Sequence, residues 1–146
     1  MNRIPVFVFA LIFMSACSEQ CDQAVQADQG WVRKPLPGRT MTAAYMDLST
    51  CGDQLEVAGF RSPQYERAEL HQTVVTDGVS AMRKVPSLIL SKSNPVSLQP
   101  GGMHLMLMRP TENFDEGNPI EVVVILADGR ELAFSLPLAS GPPPSQ

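Results

Sequence analysis

Two histidines and two methionines stand out in this sequence by their types and their spacing. Ten residues separate His71 from Met82, 21 residues separate Met82 from His104, and Met106 lies two positions further on. Imidazole and thioether are borderline to soft ligands, and thioethers in particular favour Cu(I) over hard cations. The set contains no carboxylate and no thiolate, so it serves Zn(II), Mg(II) and Ca(II) poorly. These four residues are therefore candidate ligands of Cu(I).

The first His/Met pair lies on a predicted hairpin. Asp77-Gly78 separates two apolar-rich segments, which is typical of a two-residue type I′ loop. In that register Thr73 lies opposite Met82, and His71 lies opposite Lys84. Since His71 and Thr73 are two residues apart, they share a face, and His71 is a diagonal neighbour of Met82.

The second His/Met pair lies on a predicted strand that follows a Pro-Gly-Gly turn. Alternate residues of a strand share a face. One face then carries His104, Met106 and Met108. The other face, which we expect to be core, carries Met103, Leu105 and Leu107. A four-ligand site forms if the faces of the two segments meet.

Each of these residues also has a purely structural interpretation. A methionine on a strand more often fills a gap in the core than binds a metal. A single histidine is more often solvated or hydrogen-bonded than a ligand. Four such residues on two matching faces, in a chain with only two histidines, are less easily explained in this way. On chemistry alone, a copper site and a structural role both stay open.

Short apolar segments alternate with turn residues from Trp31 onward, which is typical of an all-β domain. Prolines recur too often in this part of the chain for long helices. We expect a β-sandwich or β-barrel. The predicted strands are 43–48, 55–60, 68–76, 79–85, 87–90, 96–98, 103–108, 120–127 and 131–136.

A second hairpin is predicted at Asp128-Gly129, between two further apolar segments. A two-residue loop at this dipeptide sets Ile125 opposite Leu132. Two residues further from the loop, Val123 then lies opposite Phe134. One face of the pair is apolar and the other is mixed, as expected of a half-buried hairpin. We assign this hairpin to the core.

Residues 1–16 are expected to be an export signal. Arg3 supplies a positive start, residues 4–14 are an apolar run interrupted by one proline, and small residues precede Cys17. The run is shorter than the about 20 residues that span a bilayer. Small residues directly before a cysteine resemble the lipobox of bacterial lipoproteins, in which the cysteine is lipidated. We expect lipidation at Cys17, with ordinary signal cleavage nearby as the alternative; both place the protein outside the cytoplasm.

The rest of the chain divides into a polar tether (17–30), a β domain (31–138) and a Pro-rich tail (139–146). With one cysteine lipidated, Cys21 and Cys51 remain as an even pair in an oxidising compartment. We expect them to form a disulfide between the N-terminal segment and the loop at Cys51. Two unpaired thiols are the alternative, because spacing alone does not establish the geometry.

Composition narrows the class of function. The chain has 146 residues, a formal net charge of −4 and no cluster of lysines and arginines, whereas nucleic-acid binding requires a basic face. The sequence contains neither a CxxC nor a GxSxG motif, and its two histidines form no convincing triad with the scattered aspartates. A blue-copper electron carrier needs a Cys ligand, and no cysteine lies near the candidate ligands. We expect neither nucleic-acid binding nor enzymatic turnover.

The run His71-x10-Met82-x21-His104-x-Met106 is similar at every spacing to the copper-binding signature of the PCuAC family of periplasmic copper chaperones. The likeness extends over about residues 31 to 136. Three further segments resemble the family: Trp31-Val-Arg33, Thr42-Ala-Ala-Tyr45 and Leu98-Gln-Pro-Gly-Gly102.

The resemblance implies a cupredoxin-like fold that binds one Cu(I) through His71, Met82, His104 and Met106. It further implies transfer of copper by ligand exchange to cytochrome c oxidase, notably its CuA centre, often alongside a Sco-type thioredoxin-like partner. Met108 is the candidate for an accessory position. The implied location is the periplasm, with a lipid anchor as the only membrane contact. Ser18 favours the outer membrane, by resemblance to lipoprotein sorting rules.

The alternative function is that of an envelope β-sandwich lipoprotein that binds a protein partner and no metal. In that case the methionines are core residues, and Met82→Ala and Met106→Ala destabilise the fold by about 2–5 kcal/mol. The copper interpretation instead predicts little loss of stability in the apo protein and a large loss of Cu(I) affinity. Measurements of both properties on the same two variants therefore discriminate between the two functions.

Overall fold

Within residues 24–142, the part of the chain described by a computed structural model, the protein forms eleven β-strands and no helix. No segment in this range is a helix long and apolar enough to cross a membrane. The strands are β1 (Gln26–Arg33), β2 (Met41–Ser49), β3 (Leu55–Arg61), β4 (Tyr65–Thr76), β5 (Val79–Lys84), β6 (Leu88–Leu90), β7 (Val96–Leu98), β8 (Met103–Pro110), β9 (Ile120–Leu126), β10 (Glu131–Leu136) and β11 (Leu138–Ala139).

The strands form two sheets that enclose one hydrophobic core. The first sheet has the order β11-β1-β2-β8-β4-β5, with β7 paired to the far end of β2, and the second has the order β10-β9-β3-β6. Alternate residues of β2 and β8 point inward and are fully buried, among them Leu48, Leu105 and Leu107. The predicted all-β single domain is confirmed, and the sheets remain separate rather than closing into a barrel.

All nine predicted strands are present, with ends that differ from the prediction by a few residues. Two further strands lie at the ends of the described range. β1 begins at Gln26, so residues 26–30 belong to the sheet and not to the tether expected over 17–30. Sequence analysis missed this part of the strand because its side chains are mostly polar and show no apolar alternation. It is held in the sheet by backbone pairing with β2. β11 pairs in parallel with β1 and extends to Ala139, the first residue of the expected tail.

The β4–β5 hairpin has the predicted register. Thr73 pairs with Met82, and His71 pairs with Lys84. Asp77 and Gly78 both have positive φ angles, 51° and 78°. A type I′ turn requires this conformation at both central residues, and the sequence Asp-Gly supplies it.

The predicted register of the β9–β10 hairpin is wrong by one residue. Leu132 pairs with Val124 and not with Ile125, and Phe134 pairs with Val122 and not with Val123. The loop is one residue longer than expected, because the Leu126 N–H donates to the Arg130 carbonyl across three intervening residues. Only Gly129 in this loop has a positive φ angle, which fits a type I turn followed by a G1 bulge.

A disulfide at Cys51 leads to a prediction about stability. Cys51 is disulfide-bonded, whereas its expected partner, Cys21, lies outside the described residues. We expect Cys51→Ser to lower the free energy of unfolding by about 2–4 kcal/mol, because the unfolded chain is no longer restricted by the crosslink. Urea denaturation measures this. A thiol reductant should reproduce the loss in the wild type and leave the variant unchanged; an unchanged wild type would contradict the prediction.

Candidate metal centre

The four predicted ligands lie on the outer face of the first sheet. In the antiparallel pair β4–β8, His71 is directly opposite His104. In the pair β4–β5, Thr73 is directly opposite Met82. Opposite residues of an antiparallel pair project to the same face, as do residues two apart on one strand. The sheet therefore brings together both imidazoles and the thioethers of Met82 and Met106.

The site combines one buried and one partly buried imidazole with an exposed thioether. The ring centres of His71 and His104 are 6.2 Å apart, and a metal–imidazole bond of about 2 Å leaves room for one ion between the rings. His104 is only 5% exposed, whereas Met82 is 59% exposed. An open cleft of about 570 Å³ is lined by His104, Met82 and Met106 among other residues.

A hydrogen bond fixes the orientation and the tautomer of His104. Its Nδ1 lies 3.1 Å from the Gly102 carbonyl oxygen, which can only accept, so Nδ1 carries the proton. The same carbonyl also accepts a 3.2 Å hydrogen bond from the Thr73 N–H, so β4 holds the acceptor in place. Metal-binding histidines commonly donate their second N–H to a backbone carbonyl in this way. The Nε2 lone pair of neutral His104 is then available for a ligand.

The second imidazole is oriented by a carboxylate. His71 Nε2 lies 3.2 Å from the Glu69 carboxylate. The carboxylate can only accept, so Nε2–H donates the hydrogen bond and Nδ1 is the unprotonated nitrogen of the neutral ring. That Nδ1 is buried and has no hydrogen-bond partner among the described residues. A buried polar atom without a partner costs free energy, and a bound metal ion would satisfy it.

Glu69 neutralises the positive charges around this imidazole. Its carboxylate forms ion pairs with Arg67 and with Lys84, the latter at 3.1 Å. Hydrogen bonds from Arg67, His71 and Lys84 hold the pKa of Glu69 at about 2, so it is ionised throughout the physiological range. Sequence analysis did not identify Glu69 as part of the site. The signal was present, because Glu69 is two residues from His71 and therefore on the same face.

We expect Glu69→Gln to weaken Cu(I) binding by roughly ten-fold, within the range seen for loss of a partner that orients a metal-binding histidine. The substitution leaves the Lys84 charge uncompensated beside the site and weakens the hold on His71. Competition with a chromogenic Cu(I) chelator measures the affinity. Glu66→Gln is the matched control, because Glu66 is an exposed residue of β4 that pairs with Arg109. Equal affinities of the two variants would show that Glu69 does not support the site.

The inward and outward faces of β8 agree with the predicted alternation. Leu105 and Leu107 are fully buried, and Met103 packs against the core. Met108 shares the outer face with Met106 but is not among the residues that line the cleft. It lies directly opposite Met41 of β2, a cleft residue that sequence analysis did not single out.

One family model and two bacterial proteins are similar in sequence to this chain. A family model described as "Putative lipoprotein LpqE-like" matches residues 25–138. "Putative lipoprotein Lxx21020" of Leifsonia xyli subsp. xyli (strain CTCB07) is 30% identical over 116 residues, which cover 78% of this chain and 69% of the relative. "Uncharacterized protein RP573" of Rickettsia prowazekii (strain Madrid E) is 26% identical over 128 residues, which cover 84% of this chain and 70% of that protein.

Solved structures with the same fold are PCuAC domains and a related protein. The copper-bound PCuAC domain from PmoF2 superimposes with a TM-score of 0.65 at 18% identity, covering 82% of this chain and 95% of that domain. The solution structure of CuI-DR1885 from Deinococcus radiodurans has a TM-score of 0.62 at 25% identity, covering 82% of each chain. The family match and the fold lead to one conclusion: this chain belongs to the LpqE-like family, and its domain has the fold of the PCuAC domains.

Proposed function

We propose that this protein is an extracytoplasmic copper chaperone that binds one Cu(I) ion through His71, Met82, His104 and Met106. The observation that carries the proposal is the meeting of both histidines and two methionines on one face of the first sheet. Two further observations add to it: Nδ1 of His71 is buried and has no hydrogen-bond partner within residues 24–142, and Nδ1 of His104 carries the proton of that ring. Each neutral ring therefore has one unprotonated nitrogen that can bind copper. The proteins compared above include one described as CuI-DR1885.

The chemistry of the ligand set supports Cu(I) as the cargo. Two neutral imidazoles and two thioethers add no negative charge, and thioether sulfur favours soft ions. X-ray absorption at the copper edge of the loaded protein tests the assignment directly. The proposal predicts a mixture of nitrogen and sulfur scatterers around monovalent copper. A shell made of oxygen and nitrogen alone would overturn it.

Release by ligand exchange fits the uneven exposure of the ligands. The two imidazoles are held by Gly102 and Glu69 and stay in place. Met82 lies on β5, whose residues are all exposed. An acceptor's ligand can therefore displace the Met82 thioether first and form a bond to copper before the imidazoles leave. The ion keeps its oxidation state throughout, so the step needs no electron donor and no turnover chemistry.

The acceptor proposed here is the CuA centre of cytochrome c oxidase, reached directly or through a Sco-type thioredoxin-like protein. Charge around the cleft supports an acceptor with an acidic surface. Three cations, those of Arg33, Lys34 and Arg39, line the cleft, and none of its lining residues in the described part of the chain is acidic. This local excess of positive charge contrasts with the net charge of −4 for the whole chain.

Reversal of the cleft charge is expected to slow transfer without changing affinity. In a Lys34→Glu/Arg39→Glu variant, the rate of Cu(I) transfer to a soluble CuA domain should fall roughly ten-fold at low ionic strength, because electrostatic attraction accelerates encounter. Anaerobic mixing, rapid separation of the two proteins and copper analysis of the CuA domain at successive times measure the rate. Lys92→Glu is the control, because Lys92 lies in the neighbourhood of Cys51 and outside the cleft. A rate that is unchanged in the double variant would exclude docking at this cleft.

The location proposed for the chaperone is the bacterial envelope, where a lipid at Cys17 anchors it to the outer membrane. The family description and the Leifsonia relative's name both contain the word lipoprotein, which supports anchoring. Cys17 lies outside the described residues. Mass spectrometry of the mature N-terminus tests the proposal: a diacylglyceryl-modified Cys17 is expected, and an unmodified N-terminus at another residue would contradict it.

A further inference from the structure

Two methionines outside the proposed centre face each other on the same side of the first sheet. Met41 of β2 is directly opposite Met108 of β8. The Arg109 N–H donates to the Thr40 carbonyl at 2.6 Å. The backbone hydrogen bond therefore joins Thr40 and Arg109, the residues next to Met41 and Met108. Met41 and Met108 therefore occupy a non-hydrogen-bonded position, where side chains of antiparallel strands come closest.

This pair adjoins the proposed centre. Met106 is two residues from Met108 on β8 and is directly opposite Ala43. Alanine is small, so no long side chain of β2 separates the Met106 thioether from the Met41–Met108 pair. Met41 also lines the same cleft as Met82 and Met106. Met41, Met82 and Met106 therefore line one cleft, and Met108 lies beside Met41 and Met106 on the same face of the sheet; these methionines are called the methionine patch.

Met41 is accessible to an incoming ion, and the two cations that flank Met108 are neutralised by carboxylates. Met41 is 51% exposed, although most of β2 is buried. Arg67 lies directly opposite Met108 on the β4 side, but its guanidinium is paired with Glu69. The Arg109 guanidinium, next in sequence to Met108, is paired with Glu66 at 2.8 Å. The two cations beside Met108 are therefore compensated.

We propose that Met41 and Met108 form a second, weaker Cu(I) position from which the ion passes to the His/Met centre. The inference rests on the proposed function, because it assigns the position a place on the route to that centre. Two thioethers without an imidazole bind Cu(I) less tightly than the four-ligand set, so the ion leaves readily. Met106 is the bridge: its sulfur binds the incoming ion as the Met41 or Met108 sulfur lets it go. No proton or electron moves in this step.

Methyl NMR of [methyl-13C]methionine-labelled protein, titrated anaerobically with Cu(I), tests the proposal. The first equivalent is expected to shift the Met82 and Met106 methyl signals, and the second to shift those of Met41 and Met108. Met46 and Met103 are internal references, because both pack in the core. A Met41→Leu/Met108→Leu variant should keep the first response and lose the second. Leucine conserves volume closely enough for the fold to be retained.

The outcomes separate this inference from the proposed function. If Met82 and Met106 respond while Met41 and Met108 stay unchanged at excess Cu(I), the second position does not exist and the chaperone site stands. If Met82 and Met106 do not respond, the proposed function itself fails. A kinetic readout completes the test: uptake of Cu(I) from a chelator complex should be slower in the double variant at unchanged equilibrium affinity. Equal uptake rates would overturn the relay.

Discussion

A Met106→Leu variant is expected to remain folded and to lose Cu(I) affinity by more than about 100-fold, which exceeds the cost of losing an orienting partner of a ligand. The substitution removes the sulfur and keeps an apolar side chain of similar volume. His104→Ala should show a loss of at least the same size, because it removes a proposed imidazole ligand together with its hydrogen bond to the Gly102 carbonyl. Chelator competition measures the affinity, and circular dichroism checks the fold.

Met103→Leu is the matched control for this experiment. It makes the same substitution on the same strand, three residues away, but on the face that packs against the core. Its Cu(I) affinity should equal that of the wild type. If Met103→Leu and Met106→Leu bind Cu(I) alike, the outer face of β8 does not carry the ligand.

The second large effect concerns stability and separates two methionines of different exposure. Met46→Ala is expected to lower the free energy of unfolding by about 2–5 kcal/mol, because Met46 is 2% exposed and its loss leaves a cavity. Met82→Ala is expected to change the unfolding free energy by less than about 0.5 kcal/mol, because Met82 is 59% exposed. Urea denaturation of the apo proteins measures both values.

Copper affinity should follow the opposite order in these two variants. Met82→Ala loses a proposed ligand, whereas the folded fraction of Met46→Ala keeps all four. The alternative function, an envelope lipoprotein without metal, treats the methionines as core residues and predicts that Met82→Ala is destabilised like Met46→Ala. The exposure of Met82 argues against that premise. A decrease of several kcal/mol in the unfolding free energy of apo Met82→Ala would instead support the alternative function.

The two hairpins show why some registers could be predicted from the sequence and others could not. Both loops contain Asp-Gly. At Asp77-Gly78 both residues have positive φ and the loop has two residues; at Asp128-Gly129 only Gly129 does, and the loop includes Ala127. Because the same dipeptide suits both loop types, the choice depends on how the flanking strands pack. The copper hypothesis used the first hairpin, so the error in the second did not affect it.

Alternation along β4 and β8 was enough to predict the face on which the ligands lie, but not their surroundings. The pairing of His71 with His104 joins strands that are distant in sequence, and no local signal sets that register. The roles of Glu69 and of the Met41–Met108 pair depend on the same long-range pairing. They became visible only when neighbouring strands could be compared residue by residue. Strand β1 was missed for a related reason, since its polar start is stabilised by backbone pairing with β2.

The most direct test of the account is an anaerobic Cu(I) titration of the apo protein in competition with a chromogenic chelator. Ascorbate is the suitable reductant, because it maintains Cu(I) and spares the disulfide at Cys51. The account predicts one tightly bound equivalent in the wild type and in Met103→Leu, and its loss in the folded Met106→Leu and His104→Ala variants. A folded wild-type protein that fails to compete for Cu(I), or that binds it as tightly without His104 and Met106, would contradict the account.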